Sequence, residues 1–141
     1  MEIITKNAQA TYKLGRKLGN TLKSGGVLGL VGDLGSGKTT FVQGLAMGLG
    51  IKERLISPTF ILLREYQKPS GGNLYHVDLY RLEQVTKDDL ATLGILDFAK
   101  DKKNVILVEW ADKAKSLLPE NTIWVNFENL GENERRITIP D

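Results

Sequence analysis

Glycines, a lysine and a threonine stand together in Gly32-Asp33-Leu34-Gly35-Ser36-Gly37-Lys38-Thr39, which matches G-x-x-x-x-G-K-[ST] at every position. This spacing suits the holding of phosphate groups. Glycines let successive backbone N–H groups turn inward around phosphate oxygens, and a helix starting there adds the positive end of its dipole. Leu34, Gly35, Ser36 and Gly37 would supply that cradle, and Thr40 would complete it in the first helical turn. Lys38 would reach the β- and γ-phosphates, while the Thr39 hydroxyl would ligate Mg²⁺. The expected ligand is a nucleoside triphosphate with its metal ion.

Such a loop needs an acidic partner at the end of a second apolar strand, to hold Mg²⁺ and its water. Two positions compete: Glu109, after Val105-Ile106-Leu107-Val108, and Asp78, after Leu74-Tyr75-His76-Val77. The run before Glu109 is the more apolar, which makes Glu109 the closer carboxylate to the metal. Asp78 would work beside it, orienting water or a switch segment. Lys38, Asp78 and Glu109 are thus the expected catalytic groups, and Thr39 and Glu109 the expected metal ligands. The plainer alternative for either acid is a strand-end cap. Ser57-Pro58-Thr59-Phe60 follows the loop's helix. A hydroxyl there can sense a γ-phosphate or Mg²⁺, and a plain turn is an equal reading. His76, the single histidine, reads as a structural hydrogen-bonding residue. No Ser-His-Asp set or histidine metal cluster is present.

The elements that must position these groups follow from periodicity. Asn7 can cap a helix with Leu14, Leu18 and Leu22 at i, i+4 and i+8, ended by Gly25 and Gly26. Val27 to Val31 is continuously apolar, as in a strand buried on both faces of a parallel sheet. A helix follows from Lys38 to about Leu49, with Phe41, Leu45 and Leu49 on one stripe. Thr59 to Tyr66 and Leu74 to Tyr80 read as strands around Lys68-Pro69-Ser70-Gly71-Gly72-Asn73, a surface loop. Short helices are expected at Asp88 to Leu93, closed by Gly94, and at Leu96 to Lys100. Val105 to Val108 is a second buried strand. Ile123 to Phe127 and Arg136 to Ile139 alternate, predicting an antiparallel hairpin at the sheet edge. The fold class is α/β with a mixed sheet.

Composition bounds the rest. At 141 residues the chain predicts one domain, 1–141. It has no cysteine, which excludes disulfides and thiolate chemistry. Nineteen basic residues against 17 acidic ones leave a net charge of +2, unlike the clustered basic surface of a dedicated nucleic-acid binder. No secretion signal or apolar stretch of about 18 residues is found, so a soluble, cytoplasmic protein without membrane contact is expected.

Together, Gly32 to Phe41, Ser57-Pro58-Thr59-Phe60, His76-Val77-Asp78-Leu79-Tyr80-Arg81-Leu82 and Glu109-Trp110 resemble one family. It is the bacterial TsaE (YjeE) ATPases of tRNA threonylcarbamoyladenosine biosynthesis. Order and spacing fit across nearly the whole chain, and the D-L-Y-R-L string with the later E-W pair is far more specific than the loop alone. The resemblance implies a three-layer P-loop NTPase fold with a mixed seven-stranded sheet, and a weak Mg²⁺-dependent ATPase stimulated by partners. It implies Mg²⁺ association for Thr39 and Glu109, importance for Asp78, and a switch at Ser57 to Phe60. ATP and Mg²⁺ are the implied cofactors. The implied partners are the transferase subunit TsaD and its companion TsaB, whose complex such proteins reset without performing the transfer. Transfer RNA would be met only through that complex. Two departures are Ala111, where proline is frequent, and an end at Asp141, so no nucleotide contact is carried onto Arg135 or Arg136.

Two other readings use the same loop. A small-molecule kinase would need an arginine-bearing lid, for which the dispersed arginines and short chain leave little room. A GTP switch would need an N-K-x-D string, and the chain has none.

Overall fold

The computed structural model describes residues 1–32, 37–56 and 62–140. Seven strands form one sheet: β1 (Glu2–Thr5), β2 (Gly26–Val31), β3 (Leu63–Gln67), β4 (Asn73–Asp78), β5 (Val105–Glu109), β6 (Ile123–Asn129) and β7 (Arg135–Thr138). The helices among the described residues are α1 (Ala8–Thr21), α2 (Lys38–Gly48), α3 (Lys87–Leu93) and α4 (Ile95–Lys100), with a 3₁₀ turn at Ala111–Ala114. Strand order is β1-β7-β6-β2-β5-β4-β3. The central pairs β6–β2, β2–β5 and β5–β4 are parallel, and the outer pairs are antiparallel. The sheet is mixed, as expected.

Continuous apolar strands serve two cores at once. Leu28, Leu30, Leu74, Leu107, Val125 and Phe127 pack with Phe41 and Leu45 of α2 and with Leu49, its C-cap. The alternating residues Val27, Tyr75, Val77, Ile106 and Val108 pack on the other face with Leu90 of α3 and Ile95 of α4. This is the arrangement that removes the polar alternation from the central parallel strands. It also holds rigid the strand ends on which the acids sit.

Helix α1 departs from the leucine stripe. Asn7 does cap it, accepting from the Ala10 N–H at 2.8 Å. Its buried residues, however, are Thr11, Gly15 and Gly19, with Leu14 and Leu18 only partly covered. The cause is glycine on both sides of the contact. A Cβ at Gly15 or Gly19 would collide with the Phe41 or Leu45 carbonyl oxygen, and one at Gly44 or Gly48 with that of Tyr12 or Arg16. The two backbones touch directly along this line, which a hydrophobic-periodicity reading cannot register.

The hairpin is antiparallel, as expected, but it is not the sheet edge. β6 lies between β2 and β7, and β1 adds antiparallel to β7 with Ile3 opposite Ile137. The buried Ile137 is covered as a result. A four-residue strand at the start of the chain is too short to announce itself by alternation. The strand expected from Thr59 begins, within the described residues, at Leu63, because Leu62 has φ of 67°. β4 stops at Asp78, whose Oδ1 accepts from the Tyr80 N–H at 2.9 Å and turns the chain away. In the 68–73 loop, Lys68 is buried and donates to the Lys23 carbonyl at 2.6 Å, while Pro69 and Ser70 are exposed. Among the described residues no helix is long and apolar enough to cross a membrane.

Candidate functional site

Parallel strands place their carboxyl ends side by side, and here two of those ends carry acids. Asp78 and Glu109 are register partners on β4 and β5, so their side chains share one sheet face. That face is the one covered by α2. Both acids are buried, Asp78 at 5 % exposure and Glu109 at 9 %. Asp78 is held by backbone and side chain alike: its N–H donates to the Leu62 carbonyl at 3.0 Å, and its carboxylate caps Tyr80. Glu109 receives His76 Nε2 at 2.6 Å, and its own carbonyl accepts from the Leu79 N–H.

Helix α2 brings the cationic side. Gly37, its N-cap residue, has φ of 97°, a conformation suited to glycine. Lys38 is only 5 % exposed; its Nζ donates to the Gly32 carbonyl at 2.7 Å and lies 4.2 Å from the centroid of the Trp110 ring. A buried ammonium needs such company, and the indole face supplies part of it. Trp110 follows Glu109 with φ of 57°. Left-handed backbone is uncommon for a bulky residue, and Leu62 and Trp110, the two non-glycine examples among the described residues, each adjoin one of the acids. Thr39 is exposed beside Lys38.

These groups surround one cavity of about 440 Å³. It is lined by Gly37, Lys38, Thr39, Thr40, His76, Asp78, Glu109 and Trp110, with Gln43, Tyr80 and Arg135 among its other walls. The structure therefore brings together Gly37, Lys38, Thr39, Thr40, Asp78 and Glu109. Leu34, Gly35 and Ser36 of the expected cradle lie outside the described residues, as does the expected switch, Ser57 to Phe60. The residue leading into that segment is held: Gln43 donates to the Leu55 carbonyl at 2.8 Å and accepts from the Leu55 N–H at 3.1 Å. Among the described residues no three acidic, histidine or cysteine groups cluster closely enough to hold a metal alone. Two carboxylates and a hydroxyl suit Mg²⁺, which is commonly held by one or two carboxylates together with substrate phosphates and water.

Three side chains at the site make contacts that the sequence does not announce. Arg135 crosses Gly37, its Cγ 3.4 Å from where a Cβ would stand, and its Nη1 donates to the Gly131 and Glu134 carbonyls. An arginine 97 residues after the loop's last lysine has no local signal; only the placing of β7 in the sheet brings it here. Trp110 gave a signal in its position after Glu109, but not its contact with Lys38. His76 was legible as a hydrogen-bonding residue, and its partner was not.

A profile of the family described as Threonylcarbamoyl adenosine biosynthesis protein TsaE matches residues 5–137. The chain belongs to the TsaE family. It is 38% identical over 139 residues to the tRNA threonylcarbamoyladenosine biosynthesis protein TsaE of Treponema pallidum, covering 99% of each chain. The TsaE protein of Bacillus subtilis is 39% identical, over 96% of this chain and 82% of its own. A crystal structure of Bacillus subtilis YdiB superimposes with a TM-score of 0.76 at 35% identity, covering 99% of this chain and 83% of that one. The TsaE match spans every element that positions the cavity, from α1 to β7. Membership ties the chain to tRNA threonylcarbamoyladenosine biosynthesis.

Proposed function

We propose that this chain is a P-loop ATPase that binds MgATP in the 440 Å³ cavity and hydrolyses it slowly, as an accessory to the TsaD–TsaB transferase. The observation that carries this is the meeting of Lys38 and Thr39, at the start of α2, with the register-paired acids Asp78 and Glu109. A cationic helix start facing two carboxylates can hold a phosphate chain and its metal ion together. Such an arrangement suits a nucleotide, and the chain's net charge of +2 fits a role exerted through a partner.

Each residue then has a distinct task. Lys38 exchanges its Gly32 carbonyl and indole contacts for phosphate oxygens, a charge-assisted bond of the stronger kind. The α2 N-terminus adds backbone N–H donors and dipole to the same oxygens. Thr39 and Glu109 are the residues that would hold Mg²⁺, and the ion when bound would neutralise charge developing on the phosphates. Asp78, fixed by Leu62 and Tyr80, orients water beside Glu109. The nucleotide state is then passed to TsaD and TsaB through differential contacts, the only route by which a ligand can shift a partner's affinity.

Calorimetric titration with MgATP and MgGTP, joined to phosphate release without any acceptor, tests the reading. Tight MgATP binding with acceptor-independent phosphate release supports it. Release that requires a small-molecule acceptor would instead make the protein a kinase.

A further inference from the structure

His76 is the chain's single histidine and is 2 % exposed. It stands on β4 two residues before Asp78, so both point to the α2 face. Across the sheet its register partner is Leu107, not Glu109. The ring therefore reaches along the strand direction to meet the acid at the end of β5, Nε2 to Oε2 at 2.6 Å. The other ring nitrogen, Nδ1, is buried and finds no hydrogen-bond partner among the described residues. A proton on Nδ1 would be a buried donor without an acceptor, an arrangement folded proteins avoid. A carboxylate oxygen can only accept. The proton therefore sits on Nε2, and the ring's one hydrogen bond goes to Glu109.

We propose that His76 is a positioning residue for Glu109: it occupies Oε2, fixes the rotation of the carboxylate, and leaves Oε1 as the single oxygen presented to the cavity. This rests on the reading that Glu109 organises Mg²⁺ and water. The last torsion of a glutamate is broad and roughly two-fold, so an untethered carboxylate samples many orientations. A hydrogen bond to one oxygen removes that freedom before any ligand arrives, which is how outer partners orient metal-ligating groups. Among the described residues His76 supplies the one side-chain hydrogen bond that Glu109 makes. A ring kept only for packing would have no need of a polar edge whose second nitrogen goes unpaired.

Two measurements test this. Because the chain has one histidine, its ring nitrogen resonances belong to His76 without ambiguity. The ligand-free protein should show Nε2 protonated and Nδ1 bare, and Glu109→Leu should abolish that fixed tautomer. In steady-state phosphate release, His76→Leu should lower kcat about 10- to 100-fold and raise the Mg²⁺ concentration needed for half-maximal rate. ATP affinity should stay within about twofold, since His76 only orients Glu109 and leaves Lys38 in place. His76→Gln, whose amide N–H can stand where Nε2 does, should recover most of the loss. In a Glu109→Gln background, His76→Leu should cost nothing further, because residues acting as one unit are non-additive. Full additivity, an unchanged kcat in His76→Leu, or a protonated Nδ1 would overturn the proposal. Should His76→Leu not fold, the ring spectrum and His76→Gln still decide it. A wild-type protein that releases no phosphate would overturn the ATPase reading instead, and the ring spectrum would still report whether His76 holds Glu109.

Discussion

Asp78 and Glu109 stand directly opposite each other at the carboxyl ends of two parallel strands, β4 and β5. Side chains alternate faces along a strand, so a one-residue slip of either strand would send one acid to the opposite core. Register is set by the apolar runs on both faces, with Val105 to Val108 wholly buried. The packing of the sheet thus fixes the pairing of the acids.

Replacing these acids separates their roles. Glu109→Gln keeps the shape and a hydrogen-bond acceptor for His76 but removes the charge. It should leave ATP binding largely intact and slow hydrolysis by about two orders of magnitude, within the usual range for a group that manages a reacting water. Asp78→Asn should also slow turnover, with a smaller change in Mg²⁺ dependence. Phosphate release across a Mg²⁺ series checks both, and loss of Mg²⁺ dependence in Asp78→Asn alone would reverse the order of the two acids.

Lys38→Ala should remove most MgATP affinity, by roughly 1.5–3 kcal/mol or more, the worth of hydrogen bonds to charged groups. The fold should survive, because Lys38 belongs to neither apolar core and its Nζ meets the Gly32 carbonyl and the half-buried Trp110 ring. Calorimetry reads the first and circular dichroism the second.

The contact between α1 and α2 predicts a stability effect at a distance from the acids. Gly44→Ala would drive a Cβ into the Tyr12 carbonyl, a backbone atom that cannot swing aside. Overpacking of this kind costs about 1–3 kcal/mol, which for a chain of this size lowers Tm by several degrees. Since α2 also carries Lys38 and Thr39, MgATP affinity should fall with it. A thermal melt with and without nucleotide measures both changes.

Burial lowers the pKa of Lys68 below the usual lysine value, opposed in part by the charge of Asp101. In the pH window between that lowered value and 10.5, the unfolded chain binds the proton and the folded one does not. Stability contributed by this group therefore rises with pH across the window. The difference in urea stability between wild type and Lys68→Met should shift in favour of wild type as pH is raised from neutrality toward 10. Parallel profiles would contradict this.

Much of the site was legible because its residues sit where local rules are strict. Lys38 and Thr39 follow a glycine pattern that phosphate chemistry demands, and Glu109 ends a run too apolar to be anything but a buried strand. Helix α2 showed its stripe through Phe41, Leu45 and Leu49, all 1 % exposed or less. What escaped was non-local or lacked a side chain. Gly15, Gly19, Gly44 and Gly48 bury backbone against backbone and leave no apolar period. β1 finds β7 across almost the whole chain, which moved the hairpin from the edge to the interior. Arg135 reaches Gly37 only through that sheet order. His76 and Glu109 meet diagonally across two strands, a contact that needs the register before it can be drawn.

The central claim is a nucleotide cycle at this cavity that serves the transferase. Its most direct measurement is steady-state phosphate release from ATP by the purified protein, alone and with purified TsaD and TsaB. The account predicts slow release by the chain alone and a clear rise when both partners are present, since docking can order the site and exclude water. Identical rates with and without the partners would contradict it.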